Sequence, residues 1–233
     1  MRQTAFKKIM PPQDETLRYM GYSGQMLTEQ FCEELDICRK KVFDAASPKA
    51  VYSRFALKRT LQGIAVVPTS LVLSGNDISK LLDGCNECIL IAVTLGLQVE
   101  RLINYTQPVS MSRAVMMDAA AAAMVEAVCD ELENNLRQEL ENEGKNLTWR
   151  YSCGYGDLPL SLQKDFTAAL DTSRRIGLSC SENYIMIPRK SVTAVMGIGQ
   201  NTAAVKPACE QCASKDDCQL RKAGKSCGYK KQA

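Results

Sequence analysis

Apolar residues recur at three- and four-residue steps between positions 28 and 46, where Phe31, Leu35, Cys38 and Val42 mark one face of a helix. A shorter helix is predicted over 13–20, after Pro11-Pro12, and Ser47-Pro48 stops the longer one. The pattern then turns strand-like across 57–73, with Ile64-Ala-Val-Val and Ser70-Leu-Val-Leu on either side of Pro68. Gly75-Asn76-Asp77 reads as a turn that caps a short helix over 78–82. Positions 87–95 are apolar and branched enough for a central strand; Gly96 ends it, and 97–104 reads as a helix packed on the sheet. The longest helix is predicted over 110–143, around the alanine run 119–123. Beyond it come a strand over 148–152, a helix over 160–170, and segments 178–187 and 191–197 that alternate around Pro188-Arg-Lys like an antiparallel hairpin. Helices and strands do not alternate regularly. The expected fold class is therefore α+β, with a bent, mostly antiparallel sheet and flanking helices. No Gly-x-Gly-x-x-Gly follows a strand, which argues against a Rossmann-type methyltransferase.

Composition changes after Gly199. We divide the chain into a main domain (1–199), a linker (200–208) and a Cys-rich tail (209–233). A length of 233 residues, 45% hydrophobic and 24% charged, fits one sizeable domain with a small appendage. The net charge of +3 is too small to imply nucleic acid as a partner. The longest purely apolar runs, such as 89–93, are far too short to span a bilayer. No apolar segment follows the basic residues near the start, so no export signal is expected and the chain should be cytoplasmic.

Histidine is absent. That excludes a Ser-His-Asp triad, a Cys-His dyad, a Cys2His2 zinc site and an imidazole ligand to cobalt or haem iron. Cysteine is abundant, at eleven residues, an odd number that sits badly with full disulfide pairing. Seven are scattered, and Cys32 and Cys38 read as buried small hydrophobes. Cys85 and Cys88 form a Cys-x-x-Cys that suits either a redox pair or half a metal site. The remaining four, Cys209, Cys212, Cys218 and Cys227, lie within nineteen residues among Lys and Arg, with almost no large apolar side chain nearby. A metal would have to supply the folding energy of such a segment. Four thiolates suit a [4Fe–4S] cluster or tetrahedral zinc, and the spacing leaves both open.

The chemistry of the main domain concentrates in Arg150-Tyr-Ser-Cys-Gly154-Tyr155-Gly156. Arginine keeps its charge and can hold a carboxylate through two hydrogen bonds. Gly154 permits a sharp turn or the close approach of a ligand, and Tyr155 adds a flat face and a hydroxyl. The combination suits a small ligand with a carboxylate and a ring.

Arg-x3-Gly-Tyr is followed by Ile176-Gly-Leu-Ser-Cys-Ser-Glu182-Asn-Tyr-Ile-Met-Ile-Pro188-Arg-Lys-Ser191-Val192. In order, spacing and residue type this resembles the activation domain of cobalamin-dependent methionine synthase. The likeness is strongest over 147–195, and weaker similarity reaches back to Glu15-Thr-Leu-Arg18. It implies a domain that binds S-adenosylmethionine and supports reductive methylation of cob(II)alamin, with an electron from an external donor. Arg150 would hold the ligand's carboxylate, and Gly154 and Tyr155 would shape the adenosine side. Glu126 and Glu182 would face its cationic groups. The cobalamin would be carried in trans by a corrinoid methionine synthase or methyltransferase. An iron–sulfur tail would let the chain supply the electron itself. The resemblance also implies that the Cys85–Cys88 segment is ordinary scaffold.

Two departures stand out. The family's Asp-Trp pair after Glu-Thr-Leu-Arg is Gly21-Tyr22 here, and Thr193-Ala-Val-Met-Gly-Ile-Gly-Gln carries none of the aromatics expected beyond Ser191-Val192. Two of the family's ligand contacts are thus missing or moved. A non-catalytic docking or conformational module for a corrinoid methyltransferase is the alternative reading. A free-standing methyltransferase acting on a small thiol ranks below both.

Overall fold

The structure is a computed structural model that describes residues 2–6, 8–22, 24–200 and Asp216. In chain order the elements are β1 (Arg2–Ala5), α1 (Gln13–Tyr19), α2 (Glu29–Ala45), β2 (Lys49–Thr60), β3 (Gly63–Val67), β4 (Val72–Leu73), α3 (Asn76–Leu81), β5 (Glu87–Thr94), α4 (Leu97–Thr106), α5 (Met111–Glu141), β6 (Asn146–Leu147), α6 (Gln163–Ala169), α7 (Thr172–Ile176), β7 (Ser179–Cys180), β8 (Met186–Ile187) and β9 (Ser191–Gly199). Thr28 caps α2 by accepting the Phe31 N–H, and Ser110 caps α5 by accepting that of Arg113.

The main sheet runs β4-β3-β2-β5-β9-β6 and is antiparallel throughout. β1 pairs with residues 49–52 of β2, on the edge that β3 occupies farther along at 56–60. The expected α+β class and the bent antiparallel sheet are both found.

Side chains of β5 alternate between two cores. Ile89, Ile91 and Val93 face helices α1, α2, α4 and α5. Cys88, Leu90 and Ala92 face the segments around β3, α3, α6 and the loop after β6. Ala120 and Ala121 of the alanine run are fully buried in the first core, and their small side chains let α1 and α2 approach α5 closely. Both faces of the central strands are covered, so the strands read as continuous apolar runs.

Three expectations differ from the structure. The first half of β2, from Lys49, escapes the sequence pattern because Ala50 and Val51 are both buried, each in a different core. Segments 178–187 and 191–197 do not pair with each other. The chain reverses earlier, through residues 181–185, so that β7 pairs with β8 while β9 joins the main sheet between β5 and β6. Of the strand expected over 148–152 there remain a bridge between Tyr151 and Val195 and the Thr148 N–H bond to the Gly197 oxygen, while the two-residue β6 lies just before it.

Cys85 and Cys88 are buried in the second core. Burial pushes the Cys85 thiol up to about 11 and raises that of Cys88 further. The Cys85 sulfur occupies the space that Gly197 leaves by having no side chain. This is scaffold packing. Among the described residues no group of three or more Cys, Asp or Glu side chains is gathered as a metal site. Cys209, Cys212, Cys218 and Cys227 lie outside the described residues. No described helix is long and apolar enough to cross a membrane.

Candidate functional site

Two parts of the chain meet at Arg150, the middle of α5 and the loop that leaves β6, and the end of α1 lies near Glu126. Glu126, Asp130 and Glu133 are spaced four and three residues apart, so they project from one face of α5. Arg150 Nη2 donates to Asp130 Oδ1 at 2.6 Å and to Glu126 Oε2 at 3.2 Å. Its Nη1 lies 3.1 Å from Glu133 Oε2 as an ion pair, yet it is buried and has no well-directed hydrogen bond.

Burial alone would disfavour the Arg150 charge. The neighbouring Cys129, Asp130 and Glu133 together more than offset it and hold the guanidinium above its ordinary pKa. Arg137 fixes Glu133 from the other side through bonds of 2.5 and 3.1 Å, and it also donates to the backbone oxygens of Leu147 and Thr148. Helix α5 is thus tied to the strand that delivers Arg150.

The end of α1 places Tyr19 within reach of the Glu126 charge. The Arg18 guanidinium stacks 4.4 Å from the centre of the Tyr19 ring and is paired with Glu15. Burial, and after it the nearby charge of Glu126, raises the Tyr19 hydroxyl above its usual pKa. The first of the two departures, Gly21-Tyr22, follows directly after α1. Gly21 turns the chain with φ of +77°, and Tyr22 packs partly buried against the helical core.

The loop itself is held at many points. Gly154 has φ of +87°, and its N–H donates to the Leu158 oxygen. The Tyr151 hydroxyl donates to the Tyr155 carbonyl, while its backbone pairs with Val195. Burial, then the charges of Asp77 and Asp157, push that hydroxyl up to about 12, so it remains a donor. Asp157 reaches across to the start of α3, accepting the N–H groups of Asn76 and Asp77. Helix α3 is therefore capped by a remote side chain, since Gly75 at its N-cap position offers none. Trp149, Tyr151 and Tyr155 form a short aromatic series with ring centres 5.2 and 6.4 Å apart, and Tyr155 is 58% exposed.

The sequence-predicted residues divide accordingly. Arg150 and Glu126 touch, and Gly154 and Tyr155 belong to the same loop. Glu182 is exposed in the turn between β7 and β8, and the ion-pair cluster around Arg150 does not include it. Asp130, Glu133, Tyr19 and Asp157 were not anticipated. The spacing of 126, 130 and 133 on one helix face was the available signal for two of them. Two clefts, of about 460 and 510 Å3, lie elsewhere, the first beside Tyr52, Asn135 and Glu139 and the second beside Arg59, Asn76 and Lys80. Neither includes Arg150, Glu126 or Tyr155.

A search of proteins with curated functions gave no match. Among solved structures, the chain is similar to one described as "Crystal Structure of the MetH Reactivation Domain bound to AdoHcy". Identity is 14%, the TM-score is 0.64, and the match covers 97% of this chain and 86% of that one. This likeness establishes the shared fold. A sequence profile described as "Vitamin B12 dependent methionine synthase, activation domain" matches residues 78–206, a span that contains β5, α5, the Arg150 loop and β9. With more than half of its length so matched, the chain belongs to the vitamin B12 dependent methionine synthase activation domain family.

Proposed function

We propose that this protein binds S-adenosylmethionine at the Arg150 loop and presents it to a cobalamin carried by a separate corrinoid methionine synthase or methyltransferase, as a reactivation component working in trans. The observation that carries the reading is the pairing of Arg150 with an acidic face of α5, in a loop whose backbone is fixed by Asp157, Tyr151 and Gly154. S-adenosylmethionine would supply a sulfonium methyl for transfer to the partner's cobalt. The residues present suit such a ligand. An arginine can receive a carboxylate, and Glu126 and Asp130 can face an ammonium or sulfonium. Tyr155 and Tyr19 offer partly exposed ring faces for an adenine. Their part is binding and orientation, which is catalysis by proximity.

Asp130 and Tyr155 are exposed, so a docked corrinoid domain would cover the site and exclude water. The tail completes the proposal. Cys209, Cys212, Cys218 and Cys227 would hold a [4Fe–4S] cluster or zinc, and a cluster would let the tail act as electron donor, in place of a separate one. Glu182 remains a candidate for the ligand's cationic end, reached from the β7–β8 turn.

Titration of the anaerobically purified protein with S-adenosylmethionine, with iron and zinc measured on the same sample, tests this. Saturable binding that Arg150→Ala abolishes is expected. One zinc and no iron would remove the electron-transfer role and leave the binding role standing.

A second reading, a non-catalytic docking module for a corrinoid methyltransferase, has one observation in its favour: Arg150 is already paired with three carboxylates of its own chain. Under it, partner binding survives Arg150→Ala and S-adenosylmethionine does not bind.

A further inference from the structure

The Arg150 side chain is 18% exposed, and carboxylates of the same chain already hold both of its terminal nitrogens. Nη1 is buried against Glu133. Nη2 makes both remaining contacts, to Glu126 and Asp130. The three acids differ in freedom. The Glu133 side chain is 17% exposed and clamped by Arg137. Glu126 is 40% exposed and lies beside Tyr19. Asp130 is 65% exposed, and among the described residues Arg150 is its hydrogen-bonding partner. It is nonetheless the acid closest to Nη2, at 2.6 Å.

We propose that Asp130 is a displaceable latch whose carboxylate occupies the Nη2 position meant for an amino-acid carboxylate, so that a zwitterionic ligand enters by displacing it. This rests on the reading that the Arg150 loop binds an S-adenosylmethionine-type ligand. The exchange is acid for acid, so Arg150 is never left buried without a counter-charge. The displaced Asp130 then faces the ligand's ammonium. A ligand without a carboxylate cannot take Arg150 from Asp130 and gains nothing from it. Because Asp130 is 65% exposed, water screens the latch, and it lowers the affinity for S-adenosylmethionine by only about 1.5- to 5-fold, which makes it easy to open.

The test compares S-adenosylmethionine with its decarboxylated form on the full-length protein. Three proteins are titrated: the wild type, Asp130→Asn, and Glu131→Gln. The last removes one negative charge from the same turn of α5 without touching Arg150. The preference for S-adenosylmethionine should rise in Asp130→Asn by about two- to fivefold beyond any change in Glu131→Gln. An equal preference in the two variants overturns the latch and leaves the binding reading intact. If none of the three folded proteins binds S-adenosylmethionine, the latch falls together with the function on which it rests.

Discussion

The Asn76 backbone N–H donates to the Asp157 carboxylate at 2.5 Å, across 81 positions of sequence. One side chain therefore caps α3 and pins the outer end of the Arg150 loop. Replacing it removes both functions at once. Asp157→Ala should lower stability by about 1 kcal/mol, the usual cost of a lost cap, and the melting temperature by about 2–4 °C. It should also weaken ligand binding without altering any residue of the Arg150 cluster. A thermal melt paired with a titration checks both effects.

Removal of Arg150 leaves Glu126, Asp130 and Glu133 facing one another, with Arg137 still neutralising Glu133. Loss of stability by about 1–3 kcal/mol is expected for Arg150→Gln, between the values for exposed and buried pairs. Arg150→Lys should recover most of the stability and little of the binding, because an ammonium lacks the planar fork. Urea denaturation and calorimetric titration of the same two variants separate the contributions.

Glycine positions in the second half of the chain should respond unequally to a methyl group. Gly156 has φ of +50°, and a Cβ there would collide with the Tyr151 hydroxyl and the Asp77 carboxylate. Gly144 has φ of +67° with open space around it. Both alanine variants bear the left-handed backbone cost of about 1–2 kcal/mol. Gly156→Ala should exceed that cost and disturb ligand binding, whereas Gly144→Ala should match it and leave binding unchanged. Equal losses of stability in the two would show that the loop around Gly156 yields freely.

The acid limb of the stability curve should report on Glu87. Hydrogen bonds from Arg54, opposed by burial and reinforced by Lys145, hold its carboxyl down at about 2. A carboxyl depressed in the folded state stabilises the fold above its unfolded pKa, and this contribution is lost as pH falls through the folded value. The window therefore runs from about pH 4.5 down to about pH 2. Glu87→Gln should be less stable than the wild type at neutral pH and should lose less on acidification through that window. Parallel curves for the two proteins would mean that Glu87 gains nothing from its partners.

Cysteine alkylation should follow burial. Cys85 and Cys88 have raised thiol pKa values and little access, so iodoacetamide at mild pH should label them only on unfolding. Rapid labelling of either in the native protein would reopen a redox role for the pair.

Long segments with clear ends were legible in the sequence. Helix α5 begins at Ser110 and β5 stops before Gly96, as their capping and breaking residues indicate. Strand β2 was half-hidden because its buried residues serve two cores and do not alternate. The reversal at 181–185 was misplaced because Pro188 is the stronger local signal, while the actual turn is closed by Ser181 bonds to the backbone of Ile185 and Tyr184. At the site, Arg150, Gly154 and Tyr155 were visible as a motif. Of the acids that surround Arg150, Glu126 was suggested by the resemblance, whereas Asp130 and Glu133 became meaningful only when α5 was placed beside the loop. Asp157 gives no local hint of its partner, since the bond depends wholly on tertiary packing.

Strand β9 is bonded along one edge to β5 from Ser191 to Ile198, and along the other to β6 and Tyr151. The Gln200 carbonyl just beyond it accepts a hydrogen bond from the Asn146 side chain. A pull on the chain after Gln200, directed along the strand, would load all of these ladder bonds together in shear. None could be peeled away singly. The strand that ends at Gly199 is thus mechanically stiff, and such a pull would leave the Arg150 loop still.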